Sequence, residues 1–142
     1  MAALRVSPPR VFGQATHAGK PPAASAGSAD AYRQAQFVLD LDTNLVLDGL
    51  NLESTLADGA TGAKFRNQRV ASGLMNWSRS WLTRLQALHA IEWGNYAASL
   101  PLLRASADYQ SAFLALMGSD AAEWQEWVDS GSIRLAPEQH AT

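Results

Sequence analysis

Val70-Ala71-Ser72-Gly73-Leu74-Met75-Asn76-Trp77-Ser78-Arg79-Ser80-Trp81-Leu82-Thr83-Arg84-Leu85-Gln86-Ala87-Leu88-His89-Ala90-Ile91 is the stretch on which the fold turns. Its large apolar residues Val70, Leu74, Trp77, Trp81, Leu85, Leu88 and Ile91 succeed one another by four, three, four, four, three and three positions. That is the stripe of a 3.6-residue period. Gly73 costs such a helix about 1 kcal/mol, which a stripe of about seven turns can absorb. The pattern predicts a helix from about Lys64 to Trp93.

Downstream, Gly94-Asn95 supplies a helix stop, since glycine readily takes the left-handed position after a last turn. A second apolar pattern runs from Tyr96 to Met117 and is closed by Gly118. Pro101 is harmless if the regular helix begins near Ser99 and should kink it if it begins at Tyr96. Asp120 and Glu123 form a capping-box variant for a short helix carrying Trp124, Trp127 and Val128, ended by Ser130-Gly131. The tail from Ala136, residues 136–142, is expected to fray.

Upstream, Asp58-Gly59-Ala60-Thr61-Gly62 is a loop by composition. Before it, Tyr32, Ala35, Val38/Leu39, Asp42, Leu45/Val46, Gly49 and Leu52 lie on one irregular helical face. Leu39 to Leu47 can also be read as a hairpin turning at Thr43-Asn44. A helix is favoured, because two lone strands are marginal in water whereas a helix can dock on its neighbours. Residues 1–28 hold Pro8-Pro9, Pro21-Pro22 and many Ala, Gly and Ser, too little apolar bulk to offset the entropy of ordering, and read as a flexible leader. The fold expected is therefore all-α: a helical domain over residues 29–135, built on a long antiparallel helix pair as in a bundle.

Composition narrows the functions. The chain has 142 residues, no cysteine, and 11 Lys plus Arg against 13 Asp plus Glu. Disulfide frameworks, zinc ribbons and thiolate nucleophiles are excluded. Arg5, Arg10 and Lys20 all precede the first acid, Asp30, leaving eight basic against 13 acidic residues beyond it. A negative body without a Lys/Arg cluster argues against a nucleic-acid platform. The longest apolar run, Phe113 to Met117, is far short of the roughly 20 residues of a membrane span. The first 27 residues lack the secretory h-region of about 7 to 15 residues, which gives a cytoplasmic expectation.

Several short motifs invite chemistry. Asp40-Leu41-Asp42-Thr43-Asn44 after Phe37-Val38-Leu39 resembles the first motif of haloacid-dehalogenase-type phosphatases, which implies Asp40 as nucleophile and Asp42 as acid/base at the end of a strand. The same D-x-D-x-N is similar to the opening of a calcium loop, although Leu45 stands where that loop turns on glycine and Asn51 where it needs glutamate. Arg84 and His89 fit the R-x4-H spacing of HEPN-type helical domains. That resemblance implies a metal-independent ribonuclease in which Arg84 stabilises charge on phosphorus and His89 moves protons. The two residues lie about 140° apart around a helix, so a shared site needs a dimer.

Trp93-Gly94-Asn95-Tyr96-Ala97-Ala98-Ser99 resembles the inter-helix turn of a tetratricopeptide unit, in which small residues let two helices approach. The helix, Gly-Asn-Tyr, helix pattern is also similar to uncharacterised bacterial helical-bundle proteins. Within the second helix Arg104 and Asp108 stand four apart, and with Glu92 they make a candidate polar patch. The five tryptophans read mainly as core, with Trp124 and Trp127 as candidate partner-binding residues because so short a helix hardly buries two indoles. The leading expectation is a protein-interaction or scaffold module, self-associating or the N-terminal part of a longer protein, with no cofactor. The alternative is the dimeric ribonuclease.

Overall fold

The computed structural model describes residues 12–21, 26–58 and 68–118. Those residues form an all-α bundle of four helices: α1 (Ala26–Val38), α2 (Asp40–Asp58), α3 (Gln68–Glu92) and α4 (Tyr96–Gly118). No strand occurs among them, so the segment around Thr43-Asn44 is helix and not hairpin. The expected short helix with Trp124 and Trp127, the loop at 59–62 and the tail lie outside the described residues.

The α1–α2 junction is a local break at Leu39 across which helical bonding continues: the Leu39 amide donates to the Ala35 carbonyl (2.9 Å) and the Thr43 amide to the Leu39 carbonyl (2.8 Å). Asp40 and Asp42 fill the first turn of α2, where carboxylates complement the positive end of the helix dipole. On a helix, positions i and i+2 diverge by about 200°, so these two acids do not face a common ligand as the phosphatase and calcium-loop resemblances require. Both are exposed.

α3 and α4 are antiparallel and packed along their length, and their reversal follows from local chemistry. The Asn95 amide donates to the Ala90 carbonyl (2.8 Å) and the Gly94 amide to the Ile91 carbonyl (3.0 Å), which is the Schellman arrangement. It requires a left-handed residue, supplied by Gly94 at φ 77°. The Asn95 carbonyl then accepts from Ala98 and Ser99, opening α4 at Tyr96. Pro101 is therefore inside the helix. The Ala97 carbonyl that it deprives of a donor belongs to an exposed turn, where water can solvate it.

The seam between these helices pairs Gly73 with Met117, Trp77 with Phe113 (ring centroids 5.8 Å apart), and Ser80 with Gln110 (3.2 Å). Arg79 lies over the Tyr109 ring at 5.9 Å. Buried serines line it too. Ser99 and Ser106 donate to the carbonyls of Tyr96 and Leu103 (both 2.7 Å), so their hydroxyls are satisfied within α4. Only part of the apolar stripe of α3 faces this seam. Much of the stripe, Trp81, Leu85 and Leu88, packs instead into a core with Leu47 and Leu50 of α2 and with Ala15 and Phe12 from the N-terminal segment.

Two further corrections concern the N-terminal third. Of the leader expected over residues 1–28, residues 12–21 form an extended strap laid on the bundle, with Ala15, Ala18 and Pro21 buried, and α1 already begins at Ala26, while residues 1–11 and 22–25 lie outside the described residues. The face proposed for residues 32–52 is right at Ala35 but wrong on α2. There Thr43, Leu47, Leu50 and Ala57 are buried, while Leu45, Val46 and Leu52 are exposed. No helix among the described residues is long and apolar enough to cross a membrane.

Candidate functional site

The strap runs antiparallel to α2 and parallel to α3, and most of its hydrogen bonds run through its main chain. From α2, the Asn51 side chain reads both polar groups of Ala15, accepting from its amide (2.8 Å) and donating to its carbonyl (3.0 Å). Ser54 donates to the Gly13 carbonyl (2.7 Å). From α3, His89 Nε2 meets the Thr16 carbonyl at 2.7 Å and the Trp93 indole donates to the Gly19 carbonyl at 2.8 Å. From α1, the Tyr32 hydroxyl donates to the Ala18 carbonyl (3.1 Å).

The geometry follows from chain dimensions. Seven residues of extended chain rise about 23 Å, close to the roughly 24 Å of a sixteen-residue helical stretch. The strap can therefore keep step with α3 from Phe12 beside Trp77 (centroids 4.8 Å apart) to Gly19 beside Trp93. Glycine and alanine let its backbone approach.

At the centre is a charge that the helices bury and the strap covers. Glu92 is 1% exposed. Its Oε1 accepts from the Ala18 amide (3.3 Å) and its Oε2 lies 3.0 Å from His17 Nδ1. On the other side of the imidazole, His17 Nε2 lies 2.9 Å from Asn44 Oδ1, and Asn44 is oriented by donating from Nδ2 to Asp40 (3.0 Å). Both ring nitrogens thus face acceptors. Only the imidazolium, with two N–H donors, satisfies both. Burial alone would lower the His17 pKa, but hydrogen bonds to Asn44 and Glu92 and the charges of Glu92 and Asp40 outweigh it and hold it above the ordinary 6.5.

A raised folded-state pKa contributes stability that is fully present below about pH 6.5 and lost as pH rises through the folded value. Urea midpoints are accordingly expected to fall between pH 6 and pH 8.5 in the wild type. In His17→Ala this component of the slope should vanish. Equal slopes in the two proteins would show that the clasp does not titrate.

Arg84 and His89 are each engaged elsewhere. The Arg84 guanidinium grips Glu53 of α2 through two bonds, Nη1 to Oε2 (2.7 Å) and Nη2 to Oε1 (2.8 Å), and the Trp77 indole donates to the same carboxylate (2.8 Å). Burial raises the Glu53 pKa, and the bonds from Arg84 and Trp77 with the Arg84 charge more than reverse this, holding it below the usual value. His89 reaches the strap. The structure therefore does not bring Arg84 and His89 to one point. Nor does it assemble the polar patch: Glu92 is buried under the strap, whereas Arg104 and Asp108 are exposed on α4 and form no ion pair with each other. Trp124 and Trp127 lie outside the described residues.

Sequence reasoning missed His17 and Ser54, and weighed Asn44 and Asn51 against a calcium loop, where the structure has Asn44, Asn51 and Ser54 of α2 meeting the strap. The last three recur with Leu47 at spacings of three, four and three on α2, a helical face that an apolar-only search passes over. No protein family, curated protein or solved structure matches the chain.

Proposed function

We propose that the protein is a helical interaction module that associates with a second copy, or with a partner helix, through the outer face of α2. The reading rests on Leu41, Leu45, Leu52 and Leu56, which are 61 to 85% exposed and fall within an arc of about 60° on a 3.6-residue helix. Phe37 and Val38 at the end of α1 are exposed as well. Tyr96, Leu100, Leu103 and Leu114 give α4 a second exposed apolar stripe.

Full burial of one leucine is worth about 1.5 to 3 kcal/mol. An isologous contact would bury the four leucines twice, against an association cost of about 4 to 15 kcal/mol. The Leu45→Asp/Leu52→Asp double variant, whose substitutions are on solvent-facing positions, is therefore expected to keep its helical content. It should weaken association at least 100-fold in sedimentation equilibrium. A wild-type chain that is monomeric at high concentration and binds no helical partner would sink the reading. Trp124→Ala and Trp127→Ala in the same assay test whether those residues contribute.

The metal-independent ribonuclease alternative depends on Arg84 and His89. Their engagement by Glu53 and by the Thr16 carbonyl favours a structural role for both, and the interaction reading is preferred for that reason.

A further inference from the structure

We propose that the cleft between α2 and α3 is a binding groove for an extended peptide carrying an imidazolium or guanidinium side chain, with residues 12–21 as its built-in occupant. This site lies on a different face of α2 from the exposed leucines and stands apart from the self-association reading.

Two independent observations carry it. First, the groove reads main chain: Asn51 satisfies the amide and carbonyl of one residue, and Ser54, His89, Trp93 and Tyr32 each engage a further carbonyl. Side-chain donors placed along an extended backbone recognise any peptide whose small residues permit the approach, as strand-addition sites do through their own backbone. Secondly, the groove holds a buried carboxylate aimed at the ligand. Glu92 and the Asn44 amide oxygen stand on opposite sides of the His17 ring at 3.0 and 2.9 Å, a pair of acceptors suited to a planar cation with two N–H donors. Asp40 adds negative charge beside it. Among the described residues, the other titratable groups hydrogen-bonded to the strap are His89 from α3 and Tyr32 from α1.

The ligand class follows: an aromatic residue for the Phe12 position against Trp77 and Trp81, small residues at the Ala15 and Ala18 positions, and a cation between them. Arginine keeps its charge at every physiological pH, whereas histidine does not. An arginine-bearing peptide is thus the stronger competitor in alkaline conditions. The tethered strap competes at an effective concentration in the millimolar range, so an outside peptide gains access when the strap is weakened.

The test uses a labelled peptide of the sequence Phe12 to Pro21 and the full chain, read by fluorescence anisotropy. At pH 6 the peptide should bind the Phe12→Ala/His17→Ala chain at least tenfold more tightly than the wild type. Adding Asn51→Ala to that chain should abolish binding. From pH 6 to pH 8.5 the affinity of this peptide should fall at least fivefold, and that of its His17→Arg version should change less than twofold. Absence of binding to a strap-weakened chain of wild-type helical content overturns the proposal, as does binding indifferent to Asn51→Ala. Should the strap-weakened chain lose helix, the wild type decides: millimolar peptide should move the Ala15 and Ala18 amide resonances toward unstructured positions, and unmoved resonances overturn it.

Discussion

Trp81→Ala is expected to lower the unfolding free energy by about 3 to 5 kcal/mol, the range for truncating a large buried aromatic. The indole is 2% exposed and joins its own helix to two other elements. It packs with Leu47 and Leu50 of α2, lies 5.9 Å from the Phe12 ring of the strap, and donates from Nε1 to the Leu50 carbonyl at 2.8 Å. Truncation opens a cavity and also leaves that carbonyl without its indole donor. Trp81→Phe separates the two effects, because it retains most of the volume while deleting the donor. Its cost should be nearer about 0.5 to 1.5 kcal/mol, the net worth of one hydrogen bond, because the Leu50 carbonyl still accepts from Ser54 Oγ at 3.2 Å. Urea denaturation followed by far-ultraviolet circular dichroism gives both numbers. A loss below 1 kcal/mol for Trp81→Ala would mean that α2 and the strap are not held on α3 as described.

Gly94→Ala should be about as severe, at about 2 to 5 kcal/mol. The left-handed backbone at φ 77° costs an L side chain about 1 to 2 kcal/mol. In addition a Cβ there would come within 2.7 Å of the Ala31 Cβ on α1, and overpacking of that kind costs about 1 to 3 kcal/mol. Ala31 has no flexible end that could swing away. Gly94 therefore does two things, ending α3 and admitting α1 beside the turn. The double variant Gly94→Ala/Ala31→Gly should recover the steric part and not the backbone part, though glycine within α1 adds its own cost of about 1 kcal/mol. A coupling energy of zero in that cycle would contradict the close approach of α1 to the turn.

The long helix pair was legible because its signals are local. The stripe from Val70 to Ile91 and the Gly94-Asn95 stop act over a few residues, and both recur in the structure as α3 and its Schellman turn. The partner of that stripe was not legible. Val70, Leu74, Trp77 and Trp81 look the same in sequence whether they face α4 or α2. The choice was made by smaller residues, Gly73, Ser80, Ser99 and Ser106, which allow α4 to close on a neighbouring side of α3. On α2 the exposed leucines misled for a related reason. Hydrophobicity marks a face that can be buried, and here the inward face mixes buried Thr43, Leu47 and Leu50 with half-buried Asn44 and Asn51.

The strap was the largest omission. Its sequence, rich in glycine, alanine and proline, has the composition of an unstructured tail, and composition measures only the apolar bulk a segment carries itself. It does not register hydrogen bonds that distant side chains offer to its backbone, such as those of Asn51, 36 residues from Ala15, or of Trp93, 74 residues from Gly19. Glu92 was singled out from sequence as part of a patch with Arg104 and Asp108, yet its partner is His17, 75 residues away.

By itself, then, the sequence determined that this chain is helical, where α3 and α4 lie and how they reverse, because periodicity, capping and glycine conformations are written within a turn or two of chain. Tertiary structure alone decided which faces meet, that residues 12–21 are ordered, and that a buried glutamate and a strap histidine form one site. Those outcomes depend on main-chain groups, which every residue carries alike, and on which distant side chains come within about 3 Å of them.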